Sequence, residues 1–362
     1  MTTLATTAAP LPALRRSLER VGLGLLPLGV LALLAAESPR RYFWDFRVFW
    51  RAGEDVLAGR SPYPAPDAAV LAHQSSFVYP PETALAMAPL SLLPYGLAAA
   101  IFFVALVGAL GVTLWVLDVR DWRCYGATLL MAPVMSAVAN GAISCFLALG
   151  VALAWRYRES WPRASAAAAA VIIAKVFLWP LALWLVATRR YAAAAAAVGG
   201  GTVVTLASWA ALGFAGLTDY VHLLRLLSNV EQAEGFSAVA LGLAIGLPET
   251  AAHVSAIASG VIALIVMFVV ARRRDGDRLA LVAALAAAIL LSPIVWLHYF
   301  VLLLVPLAIA RPRFGAAWLL LPLPFWVSST SGQSHGHGAL IALALLTASA
   351  LLVAGARERE AW

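Results

Sequence analysis

The sequence predicts an all-α integral membrane protein, a single multi-pass domain over 1–362 with roughly twelve transmembrane helices and several short re-entrant or broken ones. Three observations predict it. The chain is 63% hydrophobic and 12% charged, where a soluble domain has about 45–50% apolar and about 25% charged residues. The apolar stretches lack the alternation of a membrane barrel, so backbone groups in lipid must be satisfied within helices. The basic residues, 24 arginines and one lysine, gather in short loops between apolar runs, the positive-inside pattern.

The elements follow in order. The apolar run Val21 to Ala36 is long for a signal peptide and lacks a clean cleavage site, so it reads as a retained first helix, about 19–36, with Arg15, Arg16 and Arg20 cytoplasmic. A polar loop follows over 37–81, then a short apolar half-helix over 82–93 that Pro89 breaks. A spanning helix over about 95–117 returns inside. Two pairs of short apolar runs come next, about 126–138 with 142–156 and 164–174 with 176–188, broken at Asn140-Gly141 and at Lys175. Such pairs resemble the broken helices that line membrane cavities. Helices over about 192–214 and 250–271 flank an outer segment lying along the interface. Two last pairs, about 279–297 with 299–310 and 314–327 with 338–355, complete the bundle and leave both termini cytoplasmic.

The polar stretch 37–94 is the expected outer catalytic loop and half-helix. Asp45, between aromatic residues in WDFRVFW, is either a general base or an interfacial carboxylate paired with Arg41, Arg47 or Arg51. Arg47 and Arg51 share a face if 45–58 is helical, and either bind phosphate or snorkel to headgroups. Tyr63 and Tyr79 can hydrogen-bond or stack on a sugar, or sit in an aromatic belt. Lys175 is a lone cation inside an apolar run, a functional-site hypothesis by default, with snorkelling as the bland reading. His298 offers a hydrogen bond to phosphate or sugar, or is a helix-end histidine satisfied by a carbonyl.

Several classes are disfavoured. The arginine distribution argues against nucleic-acid binding. No phosphate-cradling loop, nucleophile elbow or zinc-protease helix is present. Cys124 and Cys145 have no metal-ligand spacing, and His335 and His337 lack carboxylate partners, so no metal site or cofactor is expected.

The run Asp45, Leu57, Gly59, Pro62, Tyr63, Phe77, Tyr79, Pro80, Pro81, Ala84, Leu85, Pro89, Leu90 and Pro94 resembles that of glycosyltransferase family 87. Ser292-Pro293, Trp296, His298 and Tyr299 are similar to its S-P-x-x-W-x-H-Y segment. Asn140-Gly141, Lys175 before Pro180, and Ser228-Asn229 resemble further landmarks, with Val230-Glu231 standing where the family has Gln-Ser.

The resemblance implies a GT-C-type bundle acting on the extracytoplasmic face of the plasma membrane. It implies transfer of a sugar, most often mannose, from a polyprenyl-phosphate donor to a cell-envelope glycolipid or glycan acceptor, with inversion. Asp45 would be the base. Lys175 and His298, with Arg47 and Arg51, would meet the donor phosphate; Tyr63, Tyr79, Asn140, Asn229 and Trp296 would meet substrate. An arabinosyltransferase of the same type, a multi-pass lipid or solute transporter, and a scaffold subunit are the alternatives.

Overall fold

The computed structural model describes residues 17–41, 43–73, 76–233 and 235–320. The second member of the expected last pair, with His335 and His337, lies outside the described residues, as do Arg15 and Arg16. Among the described residues every regular element is helical.

Among the described residues, four helices are long and apolar enough to cross a membrane: Ser17–Ser38, Tyr95–Val116, Tyr191–Ala211 and Glu249–Val270. A fifth span arises if the bent pair Ala132–Asn140 and Ser144–Arg156 counts as one. The described residues therefore support fewer crossings by helix length than the roughly twelve expected. The difference lies in short apolar helices such as Trp161–Ala174, Val176–Ala187 and Leu297–Ala310, each 10–17 residues long. A full crossing needs about 20 residues at about 1.5 Å rise each.

The long helices wear their apolar residues outward. Glu249–Val270 buries only Ala252, Ala256, Gly260 and Met267, while Val254, Ile257, Ile262 and Ile265 are exposed. The buried side is a stripe of small residues at four-residue spacing, and it packs along Gly276–Leu291. A Cβ on Gly260 would sit 2.3 Å from Leu291 Cγ, so this crossing requires the missing side chain. Close approach through small residues is how helices associate where lipid removes the hydrophobic drive.

The predicted polar loop is largely helical. Trp44–Leu57 buries Phe46, Phe49, Ala52 and Gly53, one stripe at helical spacing, and leaves Trp44 and Arg51 exposed. It packs chiefly on the half-helix Pro81–Ser91. A Cβ on Gly53 would fall 2.2 Å from Ser91 Oγ, and that hydroxyl donates to the Trp50 carbonyl at 2.7 Å. Pro81 starts the half-helix, where its absent N–H is no loss. Pro89 does not break it, contrary to expectation. The helix continues through Ser91 with Pro89 inside it, at the cost of the one hydrogen bond an N–H there would give the Leu85 carbonyl.

The break at Asn140-Gly141 is observed, with a bend of 119° between the flanking helices. Gly141 is left-handed (φ 69°), and an added Cβ would lie 2.7 Å from Phe46 Cβ and 3.0 Å from the Phe43 ring. The turn is thus seated on the aromatic cluster of Phe43, Phe46 and Phe102, whose Phe46 and Phe102 rings stack at 4.6 Å.

At the opposite loops, charged residues fasten helix ends. Asp121 caps Trp122–Leu129 by accepting from the Arg123 backbone N–H at 3.1 Å, and pairs with the Arg123 guanidinium at 2.9 Å. Arg190 pairs with Glu159 and with Asp277 (2.6 Å), and Arg158 with Asp277 (3.3 Å).

Gly141→Ala should lower the thermal unfolding midpoint in detergent, with a cost of about 2 kcal/mol from the left-handed backbone and the clash with Phe46. An unchanged midpoint would show that the turn can move off the aromatic cluster.

Candidate active site

A cavity of about 440 Å³ opens where Trp44–Leu57, the entry to Pro81–Ser91, the Lys175 break, Leu217–Glu231 and the 292–299 segment meet. Asp45, Tyr79, Lys175 and Trp296 line it, joined by Glu231 and Tyr299. This size suits a small polar ligand or the head of a larger one.

Lys175 reaches it because the helix stops there. Trp161–Ala174 ends on Lys175 in an extended conformation (φ −154°, ψ 100°), and a short 3₁₀ turn resumes at Val176. The ammonium donates to the Tyr79 hydroxyl at 3.2 Å and lies 3.9 Å from the centre of the Tyr299 ring. An aromatic face and a phenol are soft counter-groups that leave the charge available to an incoming anion.

Tyr79 is held from three sides. Its ring meets Phe49 edge-on at 4.8 Å, its carbonyl accepts from the Tyr63 hydroxyl at 3.0 Å, and Pro80 and Pro81 follow it. Tyr63 therefore stands behind the cavity wall, stacked on Trp209 at 5.2 Å.

Asp45 occupies the first turn of Trp44–Leu57, outside the four long spans, where the positive end of the helix dipole favours a carboxylate. Burial nevertheless pushes its carboxyl up to about 6, with the Lys175 charge opposing the shift. Its side chain keeps 28% exposure, enough for a ligand to reach it. His298 lies behind it, with Nε2 3.9 Å from Asp45 Oδ2. That gap is too long for a hydrogen bond. His298 Nε2 is buried with no hydrogen-bond partner.

The other expected site residues lie elsewhere. Arg47 and Arg51 do share a helix, but Arg47 lies over the Trp44 and Tyr95 rings, 5.6 Å from each, and Arg51 is exposed. Neither lines the cavity. Asn140 donates to Ser136 Oγ at 3.4 Å beside the Gly141 turn, and Asn229 is exposed. Phe177, which the sequence does not single out, and Ser228 and Glu231, which it marks as landmarks without a site role, all line the cavity. Among the described residues, no group of three or more histidine, cysteine, aspartate or glutamate residues is placed to hold a metal.

A second cavity, about 490 Å³, shares Pro80, Val176 and Tyr220 with the first and is walled mostly by apolar side chains. Its one acid, Glu82, accepts from Thr205 Oγ1 at 3.0 Å. Burial raises the Glu82 carboxyl above the usual range.

The glycosyltransferase family 87 model matches residues 77–296, more than half of the chain. The chain belongs to glycosyltransferase family 87. It is accordingly a membrane glycosyltransferase. No curated protein and no solved structure matches it. The family 87 match takes in Tyr79, Lys175, Glu231 and Trp296; Asp45 precedes it and is brought to them by the packing of Trp44–Leu57 on Pro81–Ser91.

The raised Asp45 carboxyl gives two opposite pH trends. Its native value lies above the ordinary 3.8, so the ionised carboxylate is penalised in the folded state. This group's contribution to stability should therefore increase as pH falls from about 6 toward 4. Any activity that needs ionised Asp45 should instead fall as pH drops through about 6. Unfolding midpoints and transfer rates measured over the same pH series check the pair. Parallel loss of both below 6 would contradict it.

Proposed function

We propose that this glycosyltransferase moves a mannosyl group from a polyprenyl-phosphate donor to a cell-envelope glycolipid or glycan acceptor, on the extracytoplasmic face, with inversion. The observation that carries the reading is the meeting of Asp45 and Lys175, 130 positions apart, in one cavity beside Tyr79 and Trp296. A carboxylate and a cation facing one space are the two groups a single displacement at a sugar–phosphate bond needs.

In this reading Asp45 accepts the proton of the acceptor hydroxyl as its oxygen attacks the anomeric carbon. The bond from that carbon to the phosphate oxygen breaks, and polyprenyl phosphate leaves with the electron pair. Lys175 meets the negative charge gathering on that phosphate, in a site whose apolar walls strengthen the attraction. His298 stands behind Asp45, its Nε2 3.9 Å from Asp45 Oδ2. One displacement inverts the centre, so a β-linked donor gives an α-mannoside. Tyr79 and Trp296 offer a hydroxyl and aromatic faces to the sugar. Arabinose on the same kind of carrier is the competing sugar.

The stretch 37–94 is in this reading the catalytic loop and half-helix of a single multi-pass domain over 1–362 in the plasma membrane, both termini cytoplasmic. Arg51, exposed at the other face of its helix, is free to meet headgroups.

Purified protein incubated with labelled polyprenyl-phosphate-mannose and a panel of envelope acceptors should yield a mannosylated product. Asp45→Asn should lower the rate about 10²- to 10⁴-fold while the protein stays folded. Lys175→Ala should lower kcat/KM for the donor roughly tenfold or more. Donor movement across vesicles without transfer would favour a transporter. Full activity of Asp45→Asn would remove the base.

A further inference from the structure

Leu217–Glu231 turns one complete face to the cavity. Tyr220, Leu224, Leu227, Ser228 and Glu231 all line it, at the three- and four-residue spacing of a helix face. The N-terminal half of this helix is fixed. Its Tyr220 hydroxyl donates to the Val78 carbonyl at 3.2 Å, and its ring packs on Tyr63 and Trp209 at 5.2 and 5.5 Å. Those contacts hold the far end, with Glu231, over the cavity.

Glu231 is the last residue of that helix. A carboxylate there meets the negative end of the helix dipole, an unfavourable place for an acid as far as the helix is concerned. It also shares the wall with Leu227, Pro293 and Ile294. It shares the cavity with Lys175, Tyr79 and Tyr299. Among the described residues the charged lining is two carboxylates and one ammonium. The two acids stand differently: Asp45 has His298 against it and begins Trp44–Leu57, whereas Glu231 ends Leu217–Glu231. A carboxylate that shares a cavity with a phosphate-holding cation is an acceptor of hydrogen bonds from a sugar bound beside that phosphate.

We propose that Glu231 selects the transferred sugar, accepting hydrogen bonds from its hydroxyl groups while Lys175 holds the phosphate. The substrate class is a lipid-phosphate-linked glycosyl group with its ring hydroxyls free, and the inference rests on the donor reading above. Glu231 takes no proton in the displacement. It sets which sugar is held with its anomeric carbon toward the acceptor. Removing it leaves a site that still turns over donors but reads them less closely.

The test uses the full-length protein in lipid nanodiscs, with polyprenyl-phosphate-mannose and its four monodeoxy analogues as donors. The wild type should discriminate against at least one analogue by roughly tenfold or more in kcat/KM, because that analogue leaves the carboxylate unpaired. In Glu231→Ala the ratio for that analogue should fall to within about twofold of unity. Glu231→Gln, which keeps shape and one acceptor atom, should give an intermediate ratio. The ratio separates recognition from a structural role, since general loosening lowers both donors alike. Discrimination that survives in both variants overturns the proposal, as does a wild type that treats all five mannosyl donors equally. A wild type that uses none of them overturns the donor reading and this inference together.

Discussion

The sole lysine of this chain sits in the middle of a protein that is 63% hydrophobic, and the cavity wall is assembled around it. An ammonium leaving water for an apolar bundle loses far more than one hydrogen bond returns. Here the loss is offset piecemeal: the Tyr79 hydroxyl, the Tyr299 ring, and the field of two carboxylates. Each of these comes from a different stretch of sequence, so the folding of the whole bundle is what assembles them. The helix break that delivers Lys175 is as necessary as the charge. A continuous helix would leave no extended residue to swing the side chain toward Tyr79.

The fold class was legible because composition is an average property and lipid is an exacting solvent. The crossing count was not. A run of 8–14 apolar residues reads the same whether it spans, re-enters or packs inside the bundle, and only length in space separates these cases. Pro180–Ala187, with Leu181, Trp184 and Leu185 fully buried, belongs to the interior despite its hydropathy. The site was partly legible for a related reason. Asp45, Tyr79, Lys175 and Trp296 stood out as polar or aromatic landmarks in apolar text, and they converge. Periodicity showed that Arg47 and Arg51 share a face but could not say which way it turns; Trp44 and Tyr95 take Arg47 on the other side. On Leu217–Glu231 the resemblance drew attention to Asn229, yet one residue is about 100° of helix, enough to put Ser228 in the cavity and Asn229 outside.

The arginines that suggested a topology also do mechanical work at the loops. Arg123 with Glu19, and Arg190 and Arg158 with Asp277, tie helix ends together across long sequence separations. The Trp184 indole adds a bond to the Asp277 carbonyl at 3.1 Å. Such pairs stand partly out of water and are hydrogen-bonded on several sides, the setting in which breaking one partner costs most. Basic loop residues thus clamp helices here, a use that counting them along the sequence does not reveal.

Tyr79 carries a last consequence, a thermodynamic one. Its ring, hydroxyl and carbonyl are each engaged by a different element, and two prolines follow it. The rotational freedom that a tyrosine at a binding wall would surrender to a ligand has already been surrendered to the rest of the chain. A ligand arriving at this wall meets no ordering penalty there, so its heat of binding is not consumed in quieting the receptor. The cost moves instead to the folded state: anything that loosens Trp209 or Phe49, both remote from the ligand, reaches the wall through Tyr63 or directly.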